Sequence, residues 1–204
     1  QGRIVPAESW KDAFEKAKNI FSDAYIRNTE IRNTMGLTNA TIDPLWNQEQ
    51  NNTVYSVMSY IEGKDYENYE ENCLKDIFTR MKRLCKIIGG YHKEGCLHLD
   101  IKPENILIPS DTKEQIVLFD FDSLTELRKI REGNEVRLSC SEGFSALELV
   151  LGDRMKICMA TDIYSVGAVI FYKIWGRTPD IRERRWNARY DFTAMEFPDK
   201  RYQP

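Results

Sequence analysis

The chain has 204 residues, of which 42% are hydrophobic and 30% charged, with 11 Gly and 7 Pro, so it is an ordinary globular chain able to bury a real core in one large domain or two small lobes. A net charge of -3 excludes a general attraction to nucleic acid or to an anionic membrane. The 5 cysteines, an odd number without a C-x-x-C pair, exclude a disulfide framework and a zinc site and point to a reducing, cytoplasmic setting.

The opening QGRIVPAESW has neither the charged head nor the apolar run of a signal peptide, and RIV reads as the tail of a strand, so a fragment of a longer protein is expected. From Ser9, apolar residues at Trp10, Ala13, Phe14, Ala17, Ile20, Phe21, Ala24, Tyr25 and Ile31 recur at three- and four-residue steps, which predicts a long amphipathic helix capped by Ser9. Two short strands follow, residues 40–46 and 53–60, joined by the polar turn NQEQNN. The acidic stretch 62–72 reads as a solvated connector. Leu74, Ile77, Phe78, Met81, Leu84, Cys85, Ile87 and Ile88 then share one helical stripe that stops at Gly95. Residues 159–176 are apolar almost all round, the pattern of a helix buried in the middle of a domain. No stretch approaches the roughly 20 apolar residues of a membrane helix.

The run HLDIKPENILIPSDTKEQIVLFDFD, residues 98–122, carries the chemistry. Asp100 and Asn105 lie five apart, with Lys102 between them and Pro103 preventing a regular helix, so the segment is a loop whose side chains can converge. Residues 106–108 and 116–119 read as a hairpin that holds this loop and delivers Asp120 at its far end. An asparagine oxygen beside a carboxylate is a hard site suited to magnesium, a neighbouring lysine is a point charge for a phosphoryl oxygen, and Asp100 is left to accept a hydroxyl proton. The expectation is that Asp100, Asn105 and Asp120 gather about one divalent ion with Lys102 at its side. His98 reads as a residue packing the loop and His92 as a helix-end residue.

The joint string H-x-D-x-K-P-E-N, followed after a strand-length gap by D-F-x, resembles the catalytic loop and metal-binding segment of the eukaryotic-type protein kinases, serine/threonine branch, with Lys102 followed by Pro-Glu-Asn. VMSYIEGKD is similar to that family's hinge, which would put Met58 in the gatekeeper place, Ser59, Tyr60 and Ile61 against adenine, and Asp65 near the ribose. SEGFSALELVLG resembles the substrate-facing loop, and TDIYSVGAVIFYKIWG the central helix whose Asp162 would cap the catalytic loop. The resemblance spans roughly residues 30–179. It implies a two-lobe α+β fold, with a partial β-containing small lobe over residues 1–61 and a mainly helical large lobe over 62–204 with incomplete C-terminal helices. It also implies ATP and magnesium as cofactors, protein hydroxyls as substrates, Asp100 as the base, Lys102 on the transferring phosphoryl group, and Asn105 and Asp120 on the metal.

Four departures qualify the likeness. No G-x-G-x-x-G occurs. Arg3 falls where the family's strand lysine belongs, with Glu30 as its helix partner and Glu15 as runner-up. Asp122 replaces the glycine after Asp120-Phe121, and Leu99 stands where an arginine would bind a phosphorylated loop, leaving Ser123, Thr125, Ser139 and Ser141 as modifiable hydroxyls. After Pro179, Arg182, Arg184, Arg185 and Arg189 surround Trp186 on what reads as a solvated helix face, one arginine being a candidate partner for Glu148. Beside the kinase reading stand a module that keeps the fold without turnover and a small-molecule phosphotransferase.

Overall fold

The structure is a computed structural model that describes residues 4–112, 114–180 and 195–202. Arg3 and the arginine cluster around Trp186 lie outside the described residues. The first helix, α1 (Lys11–Thr34), is preceded by a single tight turn at Glu8–Trp10. Trp10 rather than Ser9 occupies the cap position, and no side chain caps the helix. Ser9 is already wound into the tight turn, so its hydroxyl is not placed to receive the first free N–H groups of α1.

The hairpin β1 (Pro44–Gln50) and β2 (Thr53–Met58) begins and turns later than its sequence pattern suggests. Asn51 and Asn52 both take positive φ, 54° and 63°, the two-residue turn whose twist matches paired strands, so Gln48, Glu49 and Gln50 extend the first strand. Residues 40–43 are not strand; Ala40 and Ile42 instead exchange backbone hydrogen bonds with Leu118 and so fasten the hairpin unit to the segment bearing Asp120.

The connector is more ordered than its acidity suggests. Gly63–Asp65 forms β3, which pairs antiparallel with β5 (Ile106–Pro109), itself paired with β6 (Val117–Leu118). Only glycine fits at position 63, because a Cβ there would strike the backbone carbonyl of Ile108. A second small ladder joins β4 (Cys96–Leu97) to β7 (Thr125–Glu126), leading into α3 (Leu127–Arg131).

The core sits between α2 (Leu74–Lys93) and the central helix α5 (Met159–Trp175), with α4 (Leu147–Val150) before it. Ile77, Met81, Leu84, Ile88 and Tyr91 of α2 meet Val166, Val169 and Ile174 of α5 in one buried cluster. At about 1.5–3 kcal/mol for each large side chain removed from water, this stripe supplies the main drive for assembling the helical part. Gly95 (φ 70°) ends α2 and Gly176 (φ 67°) caps α5, both in the left-handed region that glycine enters without steric penalty. Phe121 extends the cluster, stacking on Tyr91 at 5.1 Å, so the core reaches directly under the candidate site.

Candidate active site

The loop between β4 and β5 owes its shape to one buried carboxylate. Asp162, in the first turn of α5, accepts the backbone N–H of His98 (3.0 Å) and of Leu99 (2.9 Å), and its Oδ2 lies 2.8 Å from His92 Nε2. Leu99 sits at φ 62°, a conformation that costs a branched side chain about 1–2 kcal/mol, and the bond from its N–H to Asp162 holds it there. His92 is thus more than a helix end, since it fixes the orientation of Asp162.

With the backbone turned in this way, the loop side chains converge. Asp100 is buried, and its Oδ2 accepts from Lys102 Nζ at 2.9 Å. Its Oδ1 accepts the Ser141 hydroxyl at 2.7 Å, and Lys102 Nζ also reaches Ser141 Oγ at 3.3 Å, closing a triangle. Asn105 Nδ2 donates to the Asp100 carbonyl at 2.8 Å, which leaves its Oδ1 available as an acceptor. Burial by itself would raise the Asp100 carboxyl, but the hydrogen bonds from Ser141 and Lys102 and the lysine charge outweigh it and hold the group below its ordinary value. It is therefore an ionised acceptor at neutral pH. His98 is wholly buried, its ring 4.9 Å from Phe121, and burial keeps it below the usual imidazole range against the pull of Asp162, Asp100 and Asp120. A neutral, packed imidazole matches its reading as a structural residue.

Asp120 follows directly on Phe119, whose N–H bonds the Asn105 carbonyl at 3.1 Å, so the end of the hairpin is tied to the loop. Asp120 adopts φ 60° and faces a cavity of about 370 Å³. Phe21, Ala24, Tyr25 and Asn28 of α1 form one wall, Ser56 and Met58 of the hairpin another, and Asp120 and Asp122 the floor. Asp122 is half-exposed and ion-paired with Arg137 at 3.0 Å. Burial and the neighbouring Asp120 carboxylate push its carboxyl up, against the opposing charge of Arg137.

The other sequence-derived candidates fall at different distances from this cavity. Met58 lines it. Ser59 is used in structure, its N–H bonding the Asp43 carbonyl at 2.9 Å and its hydroxyl accepting the Asp43 N–H at 3.2 Å. Tyr60 is 89% exposed and Ile61 partly buried in the stretch leading to β3. Asp65 ends β3 and accepts the N–H and the side-chain amide of Asn68, both at 2.8 Å, which against burial keep it below the ordinary carboxylate range. Glu30 is a correction. It lies on the opposite flank of α1, paired with Arg27 at 3.2 Å beside a separate hollow of about 150 Å³ that includes Lys129 and Glu135. The helical period explains this: residues 21, 24, 25 and 28 share a face, and position 30 is turned well away from it. Glu15, the runner-up, pairs with Lys18 at 2.9 Å.

Ser141 is the residue whose role the motif does not disclose. In sequence it is one of several hydroxyls, and its only signal is that it opens the SEGFSALE run. Glu148 likewise meets an unforeseen partner, accepting the Thr161 hydroxyl at 2.6 Å.

The family description "Protein kinase domain" matches residues 11–197. Myosin light chain kinase family member 4 of Homo sapiens is 32% identical, the alignment covering 97% of this chain and 55% of that protein. Myosin light chain kinase 3 of Rattus norvegicus is 31% identical over 89% of this chain and 24% of its own length. Among solved structures, a twitchin kinase fragment of C. elegans superposes with a TM-score of 0.64 at 21% identity, over 86% of this chain and 37% of that one, a likeness of fold alone. The chain thus spans between 24% and 55% of the length of these curated relatives.

Proposed function

This chain belongs to the protein kinase domain family and has its α+β fold, and from that premise we propose that it is the core of a serine/threonine protein kinase, transferring the γ-phosphate of ATP to protein hydroxyls. The observation that carries the reading is the Asp100 carboxylate, ionised, buried and held between Lys102 and Ser141. A carboxylate so placed orients a hydroxyl and accepts its proton as the oxygen attacks phosphorus. Lys102, already at Asp100, carries the positive charge that steadies the phosphoryl oxygens as negative charge develops on them.

The donors offered by Asn105 Oδ1 and the Asp120 carboxylate are two hard oxygens without sulfur or imidazole, which fits magnesium, an ion that takes its remaining ligands from water and phosphate. Bound there, magnesium supplies charge neutralisation on the nucleotide phosphates. In this reading residues 1–61 form the small lobe and 62–204 the large one, Met58 guards the cavity, and Asp65 meets the ribose. Because the Ser59 N–H is taken by Asp43, adenine contacts fall to the backbone of Tyr60 and Ile61. No helix among the described residues is long and apolar enough to cross a membrane, and with five free thiols a cytoplasmic setting completes the proposal.

One observation favours the alternative of a module without turnover: the face of α1 that meets the cavity offers Phe21, Ala24, Tyr25 and Asn28 but no carboxylate. Incubation with radiolabelled ATP and a generic basic protein separates the two. Incorporation by the parent and none by Asp100→Ala is expected; equal incorporation by both contradicts the catalytic assignment, and ATP binding without transfer selects the module.

A further inference from the structure

The central helix α5 is apolar along nearly its whole length, yet two charged side chains sit on one stripe of it. Asp162 lies in the first turn and Lys173 in the last. They are 11 residues apart, so their directions around the axis differ by only about 20° and their positions along it by about 16 Å. Val166 and Val169 lie between them on the same stripe and are buried. Asp162 grips the catalytic loop by its N–H groups. Lys173 grips the connector by its carbonyls, donating to Tyr66 O at 2.8 Å and to Tyr69 O at 2.6 Å, with its ammonium 4.6 Å from the Tyr66 ring centroid.

The two grips are mechanically joined. Tyr66 is fully buried, and its N–H bonds the Ile106 carbonyl at 2.7 Å and the Pro103 carbonyl at 3.2 Å, the loop that contains Lys102 and Asn105. The Tyr66 hydroxyl donates to buried Glu71 at 2.6 Å, which also accepts Arg80 Nε at 2.8 Å. Burial draws the Lys173 ammonium below its ordinary range while Glu71, Asp65, Glu70 and Glu67 oppose that fall. A lysine in such a place loses side-chain freedom and hydration, which packing alone would not require, since the rest of the stripe is filled by valine.

We propose that Lys173 is a positioning residue for the nucleotide: it holds residues 65–69 at a fixed distance from the catalytic loop, as Asp162 holds that loop three turns away on the same helix. This rests on the kinase reading, in which Asp65, the neighbour of Tyr66, meets the ribose. Removal of the ammonium releases the Tyr66 and Tyr69 carbonyls and loosens the turn that follows Asp65, while Asp162 keeps its hold on His98 and Leu99 and Asp100 keeps its bonds to Lys102 and Ser141.

The test compares Lys173→Met, which suits an apolar helix, with Lys173→Arg in the full chain. Lys173→Met is expected to raise KM for ATP on the order of tenfold, the value of one charge-assisted hydrogen bond, with kcat close to the parent and with partial recovery in Lys173→Arg. Unchanged KM, or a fall in kcat with KM intact, overturns the proposal. Hydrogen exchange of the Tyr66 and Asn68 amides in the nucleotide-free protein gives a second arm independent of turnover: faster exchange in Lys173→Met supports the clamp and unchanged exchange overturns it. A parent chain without transfer activity defeats the kinase reading, and the exchange arm still decides the clamp.

Discussion

Residues 98–105 are buried except at Lys102 and Glu104, whereas the helix–hairpin unit of residues 11–58 meets water along most of its length. The loop takes its shape from hydrogen bonds formed largely out of solvent, some within the loop, as from Lys102 and Asn105 to Asp100, and others to the distant Asp162 and Ser141. The helix–hairpin unit is tied down partly by buried contacts, Tyr91 to Asn28 and Leu118 to Ala40 and Ile42, and partly by ion pairs nearer its surface, Lys16 to Glu135, Arg27 to Glu126 and Lys129 to Asp23, with Trp46, Tyr55 and Val57 left exposed. Buried polar contacts are costly to leave unmade, while exposed ion pairs are screened and individually weak. The comparison therefore teaches that the loop's geometry is set by buried bonds to the helical part, while the unit bearing α1 adds screened surface pairs to a smaller set of buried ties.

The sharpest way to break this contrast is Asp162→Ala, which leaves two buried backbone donors unpaired. At roughly 1–3 kcal/mol for each, the expected loss is about 3 kcal/mol or more, read as a lower urea midpoint at constant slope. Asp162→Asn, retaining one acceptor, should recover part of it.

A smaller effect follows at the triangle around Asp100. The Ser141 hydroxyl lowers the Asp100 carboxyl, so Ser141→Ala lets that carboxyl rise toward or past its ordinary value. A base with a raised pKa is protonated at higher pH, so the acid limb of the pH–rate profile should move upward while the rate on the plateau changes less. An acid limb that stays in place would mean that Asp100 is not the titrating base.

The smallest effect belongs to the exposed flank of α1. Glu30→Gln breaks a surface pair with Arg27 and touches nothing in the Asp120 cavity, so turnover and thermal stability should stay at parent values. A large loss of turnover with stability intact would show that α1 rotates in the working state to bring Glu30 inward.

The same contrast explains what the sequence discloses. Asp100, Lys102 and Asn105 were legible because a short loop stiffened by Pro103 leaves few ways to arrange them, and the structure places them in mutual contact. The α2 and α5 stripes were legible because burial imposes a 3.6-residue period. The start of β1 and the cap of α1 were not, since both lie in the exposed unit where burial does not constrain pattern: the turn was fixed by the positive φ of Asn51 and Asn52, not by the length of the polar run. The position of Glu30 along the chain does not reveal its direction around the helix. Ser141 and Lys173 are illegible for another reason, since each acts on a partner far along the chain, 41 residues from Asp100 and 107 from Tyr66, respectively.

The central claim is that the Asp100 loop and Asp120 form one nucleotide and metal site with divided labour. Calorimetric titration of ATP with and without magnesium, on the parent, Asp120→Asn and Asp100→Asn, tests it directly. The account predicts magnesium-dependent binding in the parent and in Asp100→Asn, and loss of that dependence in Asp120→Asn. Undiminished magnesium-dependent binding by Asp120→Asn would contradict it.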